Sequence, residues 1–313
     1  MEAQPLGHVQ RLRATLRRDP RRDGRRPDGY HDLVTIFQTV ALCDELTLAP
    51  TPSGPIALAA DPALGGADNL VLRAAGALAA HAGVATGATL TLTKHIPVAA
   101  GLGGGSSDAA ATLRGLRDAW SLDLADDALA RLATTLGADV PFFLRGGTAL
   151  ATGIGESLAP LPPLAPSWFV LLTPALPLPP DKTRQLYGAL TPADFGDGRR
   201  TQAQAARLRR GEPLDPALLT NSFAGPLYRL LPALAAWRDR FLAAGATWVQ
   251  PSGSGPTFYT IAPSAEAGHE IAAWLGRDGA RVAVVQSSNK PSGESIADEA
   301  QSATRCIGHT AAR

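Results

Sequence analysis

The sequence predicts a two-domain α+β protein, and three observations carry that expectation. Thr89-Leu90-Thr91-Leu92-Thr93-Lys94 alternates as a half-buried strand and delivers the chain into four glycines in five positions, Gly101 to Gly105, with an Ala-rich helical stretch from Asp108 to Trp120 behind them. Segments rich in β-branched residues alternate with Ala/Leu segments of helical spacing along the whole length. Leu161-Pro162-Pro163-Leu164-Ala165-Pro166 is the most linker-like stretch and marks the boundary between the two domains. At 313 residues, 45% of them hydrophobic and 18% charged, the chain is long enough for two moderate cores.

The glycine run is the centre of the reading. Glycines let the backbone turn with φ > 0 and bring its N–H groups close to an anion. The helix that follows offers unpaired N–H groups and the positive end of its dipole, so strand, glycine loop and helix together suit a phosphate. A dinucleotide fingerprint starting at Gly101 and Gly103 needs a third glycine where Ser106 stands, and a Walker A loop needs a Lys-Ser/Thr pair that is absent. A flexible linker does not run straight into an apolar helix.

In chain order, residues 1–26 carry eight arginines between Arg11 and Arg26 with little apolar periodicity, and read as a solvated arm. Pro27-Asp28-Gly29 turns the chain into a strand from Leu33 to Val40. Short strands are expected at 44–48 and 56–59. An amphipathic helix runs from Leu70 through His81, with Asp68 as its N-cap. A second helix covers 126–136, and Asp139 follows at a glycine-preceded turn hemmed by Val140, Pro141, Phe142 and Phe143, a setting that desolvates a carboxylate. Beyond the boundary come a buried strand at 168–172, a helix carrying Thr183, Leu186 and Tyr187, a polar surface loop with a short helix over 194–211, and a helical region ending near Ala244. A strand, tight glycine turn and strand span 248–260, a helix 266–275, and a last strand 281–286 before a polar, fraying tail.

Pro97-Val98-Ala99-Ala100-Gly101-Leu102-Gly103-Gly104-Gly105-Ser106-Ser107-Asp108 resembles the nucleotide loop of the GHMP kinases, the superfamily of galactokinase, homoserine kinase and mevalonate kinase. Gly24-Arg25-Arg26-Pro27-Asp28-Gly29-Tyr30-His31 and Gly137-Ala138-Asp139-Val140-Pro141-Phe142-Phe143 are most similar to the 4-diphosphocytidyl-2-C-methyl-D-erythritol kinases within it. The resemblance implies an N-terminal domain like the second domain of ribosomal protein S5 over 24–160 and a ferredoxin-like C-terminal domain over 161–288, with a polar tail at 289–313. It implies an ATP-dependent phosphotransferase with an alcohol acceptor. Asp139 falls on the family's catalytic aspartate. Pro97, Val98, Ala99, Ala100, Gly101, Leu102, Gly103, Gly104, Gly105, Ser106 and Ser107 fall on its ATP loop, with Asn69 also near the nucleotide and Ser106 or Ser107 helping to place Mg²⁺. Tyr30 and His31 fall on residues that hold the cytosine of the acceptor. Gly253, Ser254 and Gly255 fall on the third motif, whose backbone N–H groups lie near the substrate phosphates.

One family feature is missing. The family carries a lysine in a strand just before the Gly24–His31 phrase, whereas the lysines here are Lys94, Lys182 and Lys290 alone. The resemblance begins abruptly at Gly24, so the expectation is a frame-shifted or mis-called translation over residues 1 to about 23, and the missing lysine opens a second expectation, a nucleotide-binding protein with impaired catalysis.

A net charge of +1 gives no global attraction to nucleic acid or to a membrane surface, and no apolar run reaches the length of a membrane span. Cys43 and Cys306 match no metal or redox spacing and read as reduced thiols. The expectation is a cytoplasmic monomer or homodimer acting on a small molecule.

Overall fold

The computed structural model describes residues 4–16, 31–64, 66–276 and 279–289. Tyr30, most of the basic segment and the polar tail lie outside the described residues. The first half of the chain runs β1 (Gln4–Leu16), β2 (Leu33–Thr51), β3 (Ile56–Ala59), α1 (Leu70–Ala82), β4 (Gly87–Thr93), α2 (Gly104–Ala119), α3 (Asp126–Leu136), α4 (Val140–Arg145), β5 (Thr148–Thr152) and β6 (Ser157–Leu161). The second half runs β7 (Trp168–Thr173), α5 (Lys182–Gly188), α6 (Arg199–Arg209), α7 (Ala224–Leu230), α8 (Leu234–Ala243), β8 (Gln250–Pro251), β9 (Phe258–Ala262), α9 (Ala265–Leu275) and β10 (Arg281–Ser288).

Strand β2 is the spine. Its first eight residues are buried on both faces. Phe37 packs into the core under the N-terminal helices, while Val34, Ile36 and Val40 enter a second core shared with Phe169, Leu171 and Tyr259. The expected strands at 33–40 and 44–48 are therefore one strand, because Ala41-Leu42-Cys43 contains neither glycine nor proline to break the ladder. The expected solvated arm is also corrected over residues 4–16, which form β1, antiparallel to β2 with two register shifts. Main-chain pairing needs no apolar side chains, and an open strand edge accepts a charged partner.

The two halves share one sheet in the order β3-β4-β2-β10-β7-β9-β8, with β5 and β1 also pairing β2 and β6 pairing β5. β10 joins them, pairing β7 over 281–286 and then β2 at Ser287 and Ser288. Those two serines were expected in a fraying tail, but Ser288 O accepts from Gln38 Nε2 at 2.8 Å and from Thr39 Oγ1 at 2.5 Å, and Thr39 Oγ1 accepts from Gly147 N at 2.9 Å. Residues 162–165 carry the chain from β6 to β7 without regular structure, yet Leu161 and Leu164 are buried. The third core, around Phe223, Phe241 and Phe258, lies in the C-terminal half.

Two local differences have simple causes. Asn69, not Asp68, caps α1: its Oδ1 accepts from Val71 N at 2.8 Å, and an Asp-Asn pair offers the cap to either residue. The polar run at 194–211 holds an eleven-residue helix, because Thr201, Gln204, Ala205 and Leu208 share a buried face that polar composition conceals.

Candidate functional site

Helix α2 begins four residues earlier than its Ala-rich segment predicts, inside the glycine run. Gly103 takes the N-cap with φ 74°, Gly101 turns at φ 78°, and the first intrahelical bond is Ser107 N to Gly103 O at 3.0 Å. The N–H groups of Gly104, Gly105 and Ser106 therefore have no carbonyl within the helix to meet. A Cβ on Gly104 would stand 3.1 Å from Lys94 Nζ and 3.3 Å from Ile96 Cδ1, a tight fit against the side chains behind the helix start. The helix can sit close because its buried side is small: Ser107, Ala109, Ala110 and Ala111 pack toward α1 and the sheet.

The loop is seated on the third motif. Ser252 Oγ donates to Gly101 O at 3.0 Å, and Thr257 N donates to Ala100 O at 3.2 Å. A Cβ on Gly101 would lie 2.3 Å from Ser252 O, so the two backbones touch. The 252–257 turn is closed by Ser252 N to Thr257 O and Gly255 N to Ser252 O, both 2.8 Å, and Asn221 Nδ2 holds it through Pro251 O and Gly253 O. Lys182, at the start of α5, reaches carbonyls on both segments, and Thr183 Oγ1 lies 3.2 Å from Ser254 Oγ.

Helix α5 continues to Tyr187, whose ring stacks with His31 at 5.4 Å and 14°, while Phe195 stacks with the same imidazole at 5.7 Å. His31 is buried at the mouth of β2. Leu33 N donates to Gly153 O at 2.8 Å, and within the same turn Gly155 stands beside Asp139, 3.8 Å from Oδ1 to the place of a Cβ. Asp139 is the N-cap residue of α4, but its side chain makes no cap bond there, and α4 packs on α2. A ring of contacts thus runs from the glycine loop through the third motif, α5, His31 and Asp139 back to α2.

Of the residues singled out in the sequence, the structure joins the glycine loop, Gly253 to Gly255, His31 and Asp139 in this ring. Asn69 is engaged by the fold itself, its amide held by Val71 N and by Leu64 O at 2.7 Å. Tyr30 lies outside the described residues. Sequence reasoning did not place Lys182, Tyr187 or Phe195 in this ring, because only the tertiary fold brings α5 to the loop and Tyr187 and Phe195 to His31. Lys94 is also better placed than its strand position suggests. Its ammonium is bonded to Asp44 Oδ2 and, at 2.8 Å, to Asp108 Oδ2 behind the helix start. Burial pushes the Asp108 carboxyl up to about 8, against the pull of Lys94.

The family models for the GHMP kinases N terminal domain and the GHMP kinases C terminal match residues 69–147 and 203–280. A protein named 4-diphosphocytidyl-2-C-methyl-D-erythritol kinase from Dehalococcoides mccartyi is 40% identical over 238 residues, 76% of this chain and 83% of its own. Its namesake from Pelotomaculum thermopropionicum is 38% identical over 85% of this chain and 93% of its own. A crystal structure of 4-(cytidine 5'-diphospho)-2C-methyl-D-erythritol kinase superposes with a TM-score of 0.77 at 37% identity, covering 92% of this chain and 100% of that one. A homoserine kinase from Cytophaga hutchinsonii, at 18% identity and a TM-score of 0.66 over 93% of this chain and 96% of its own, shares the fold. The glycine loop, the third motif and the aspartate-bearing turn thus sit on a shared framework, and the chain belongs to the 4-diphosphocytidyl-2-C-methyl-D-erythritol kinase family of the GHMP kinases.

Proposed function

We propose that the chain transfers the γ-phosphoryl group of ATP to the 2-hydroxyl of 4-diphosphocytidyl-2-C-methyl-D-erythritol, a step toward isoprenoid precursors. The observation that carries this reading is the seating of the glycine loop on the 252–257 turn, with Asp139 and the His31–Tyr187 stack closing the same ring. The relatives named above for this activity support it.

Phosphoryl transfer is mostly positioning and charge neutralisation. The N–H groups of Gly104, Gly105 and Ser106 hold the ATP phosphates at the positive end of α2. Gly255 N is already bonded to Ser252 O, so a phosphate on the third motif meets the N–H groups of Gly253 and Ser254. Asp139 orients the acceptor hydroxyl and takes its proton. Among the described residues no cluster of three acidic, His or Cys side chains could hold a metal. The residues present fit Mg²⁺ held by ATP phosphates, water and one loop hydroxyl, the mode this hard cation accepts. Ser107 is buried and engaged within the fold, which leaves half-buried Ser106 as that hydroxyl. Mg²⁺ there would neutralise charge on the β- and γ-phosphates.

The test is ADP release by the full chain with Mg-ATP, with and without the acceptor. Acceptor-dependent turnover is expected; turnover with homoserine or mevalonate instead would overturn the acceptor assignment. A second reading, nucleotide binding with impaired transfer, rests on the absence of any lysine before Lys94, and predicts ATP binding without acceptor-dependent ADP. Tyr187→Ala removes the ring stacked on His31 and is expected to raise the KM for the acceptor about threefold to tenfold, the worth of one lost aromatic pair, with the KM for ATP unchanged in the same assay.

A further inference from the structure

Lys182 is 5% exposed, and its ammonium donates to Ala99 O at 3.0 Å, to Ser254 O at 2.9 Å and to Gly255 O. An ammonium has three protons, and all three are directed at main-chain carbonyls, one on the glycine loop and two on the third motif. Ala99 is held at φ 55°, a left-handed conformation unusual for alanine. The lysine therefore fixes the strained entry of the loop and ties it to the turn.

What it lacks is a counter-charge. Its neighbour Asp181 pairs with Arg184 at 2.5 Å and is largely exposed. Lys94 pairs with Asp44 and Asp108, and Arg229 pairs with Asp194 at 2.6 Å beside α7. Residues 97–107 and 252–257 contain no titratable side chain. Among the described residues no carboxylate pairs with Lys182, and burial alone lowers its ammonium to about 8. A buried cation held only by neutral dipoles is costly unless an anion completes it. The one place in the ring built to receive an anion is the N–H side of the same loop and turn.

We infer that Lys182 is the fixed positive charge of the nucleotide site, completed by the phosphates that bind across the backbone it holds. Because its protons are already committed to carbonyls, it acts through the loop and turn, as a positioning residue. This rests on the ATP-binding reading above. Linkage gives it a signature: binding a polyphosphate makes Lys182 hold its proton more tightly, so nucleotide binding above the free-state titration takes up a proton.

The experiment is calorimetric titration of the full chain with Mg-ATP at about pH 7 and about pH 9, in buffers of different ionisation heat. The parent chain is expected to bind about fivefold or more weakly at the higher pH and to take up a fraction of a proton there. Lys182→Met is expected to bind about tenfold or more weakly near neutrality, with the pH dependence and the uptake both gone. Asp108 titrates in the same range and remains in that variant, so uptake that persists in Lys182→Met overturns the assignment. Parental affinity in Lys182→Met overturns it too, as does flat, uptake-free binding by the parent, a result that needs no variant to fold. A parent that does not bind Mg-ATP at all overturns the ATP-binding reading, and this inference with it.

Discussion

Asp139→Asn is expected to lower the rate of acceptor-dependent ADP formation by about a thousandfold, within the range that positioned general bases supply. The substitution keeps the shape of the side chain and removes its ability to accept a proton from the acceptor hydroxyl. Asp139 makes no side-chain cap bond to α4 that the substitution would break. Its surroundings are the Gly153–Glu156 turn on one side and α4, packed on α2, on the other, which fixes where the carboxylate stands. Mg-ATP affinity, measured by calorimetry, is expected to stay within about twofold, since the loop that holds the nucleotide is built on α2 and the 252–257 turn. A loss of ATP binding in step with turnover would instead assign Asp139 to the nucleotide.

What the sequence made legible was local. A strand feeding four glycines and a helix is a short-range pattern, and β4, the loop and α2 follow it closely; so does α3, where the apolar spacing matches the observed ends. The start of α2 was displaced because glycines score poorly as helix formers, yet helical N–H groups at Gly104 and Gly105 are what an anion needs. The cap of α1 shifted by one residue between two side chains of the same capping chemistry. The segment 4–16 was opaque for a different reason, since pairing along an edge leaves no apolar signature. Lys182 was legible only as one of three lysines. Its acceptors lie 72 to 83 residues away in sequence, and no periodicity reports a contact of that range. The His31–Tyr187 stack was half visible: the imidazole stood in a recognisable phrase, while the tyrosine lay on a helix with no phrase of its own.

Asp44→Ala is expected to be the most damaging single change to the framework, lowering stability by about 3–5 kcal/mol, as breaking a buried ion pair does. Asp44 is fully buried in β2, with Oδ2 taking Lys94 Nζ and Oδ1 taking His95 N at 2.6 Å and Ile96 N at 2.9 Å. Removing it strands two backbone donors at the mouth of the glycine loop and leaves Lys94 with Asp108 alone. The pH dependence should change with it. In the parent, burial and then the Asp44 charge raise Asp108 to about 8, against the attraction of Lys94. A carboxyl whose folded value is raised binds more protons folded than unfolded, so its contribution to stability is full at low pH and is lost as pH rises from about 4 to about 8. Without Asp44, Asp108 becomes the only carboxylate left to pair with Lys94 and its value falls, which flattens that decline. The gap between parent and variant is therefore expected to be widest near about pH 5 and to narrow toward about pH 8, read as denaturant midpoints at constant slope. A gap that holds constant across that range would mean that Asp108 and Asp44 do not share Lys94, and that the helix start is held by the backbone bonds to Asp44 alone.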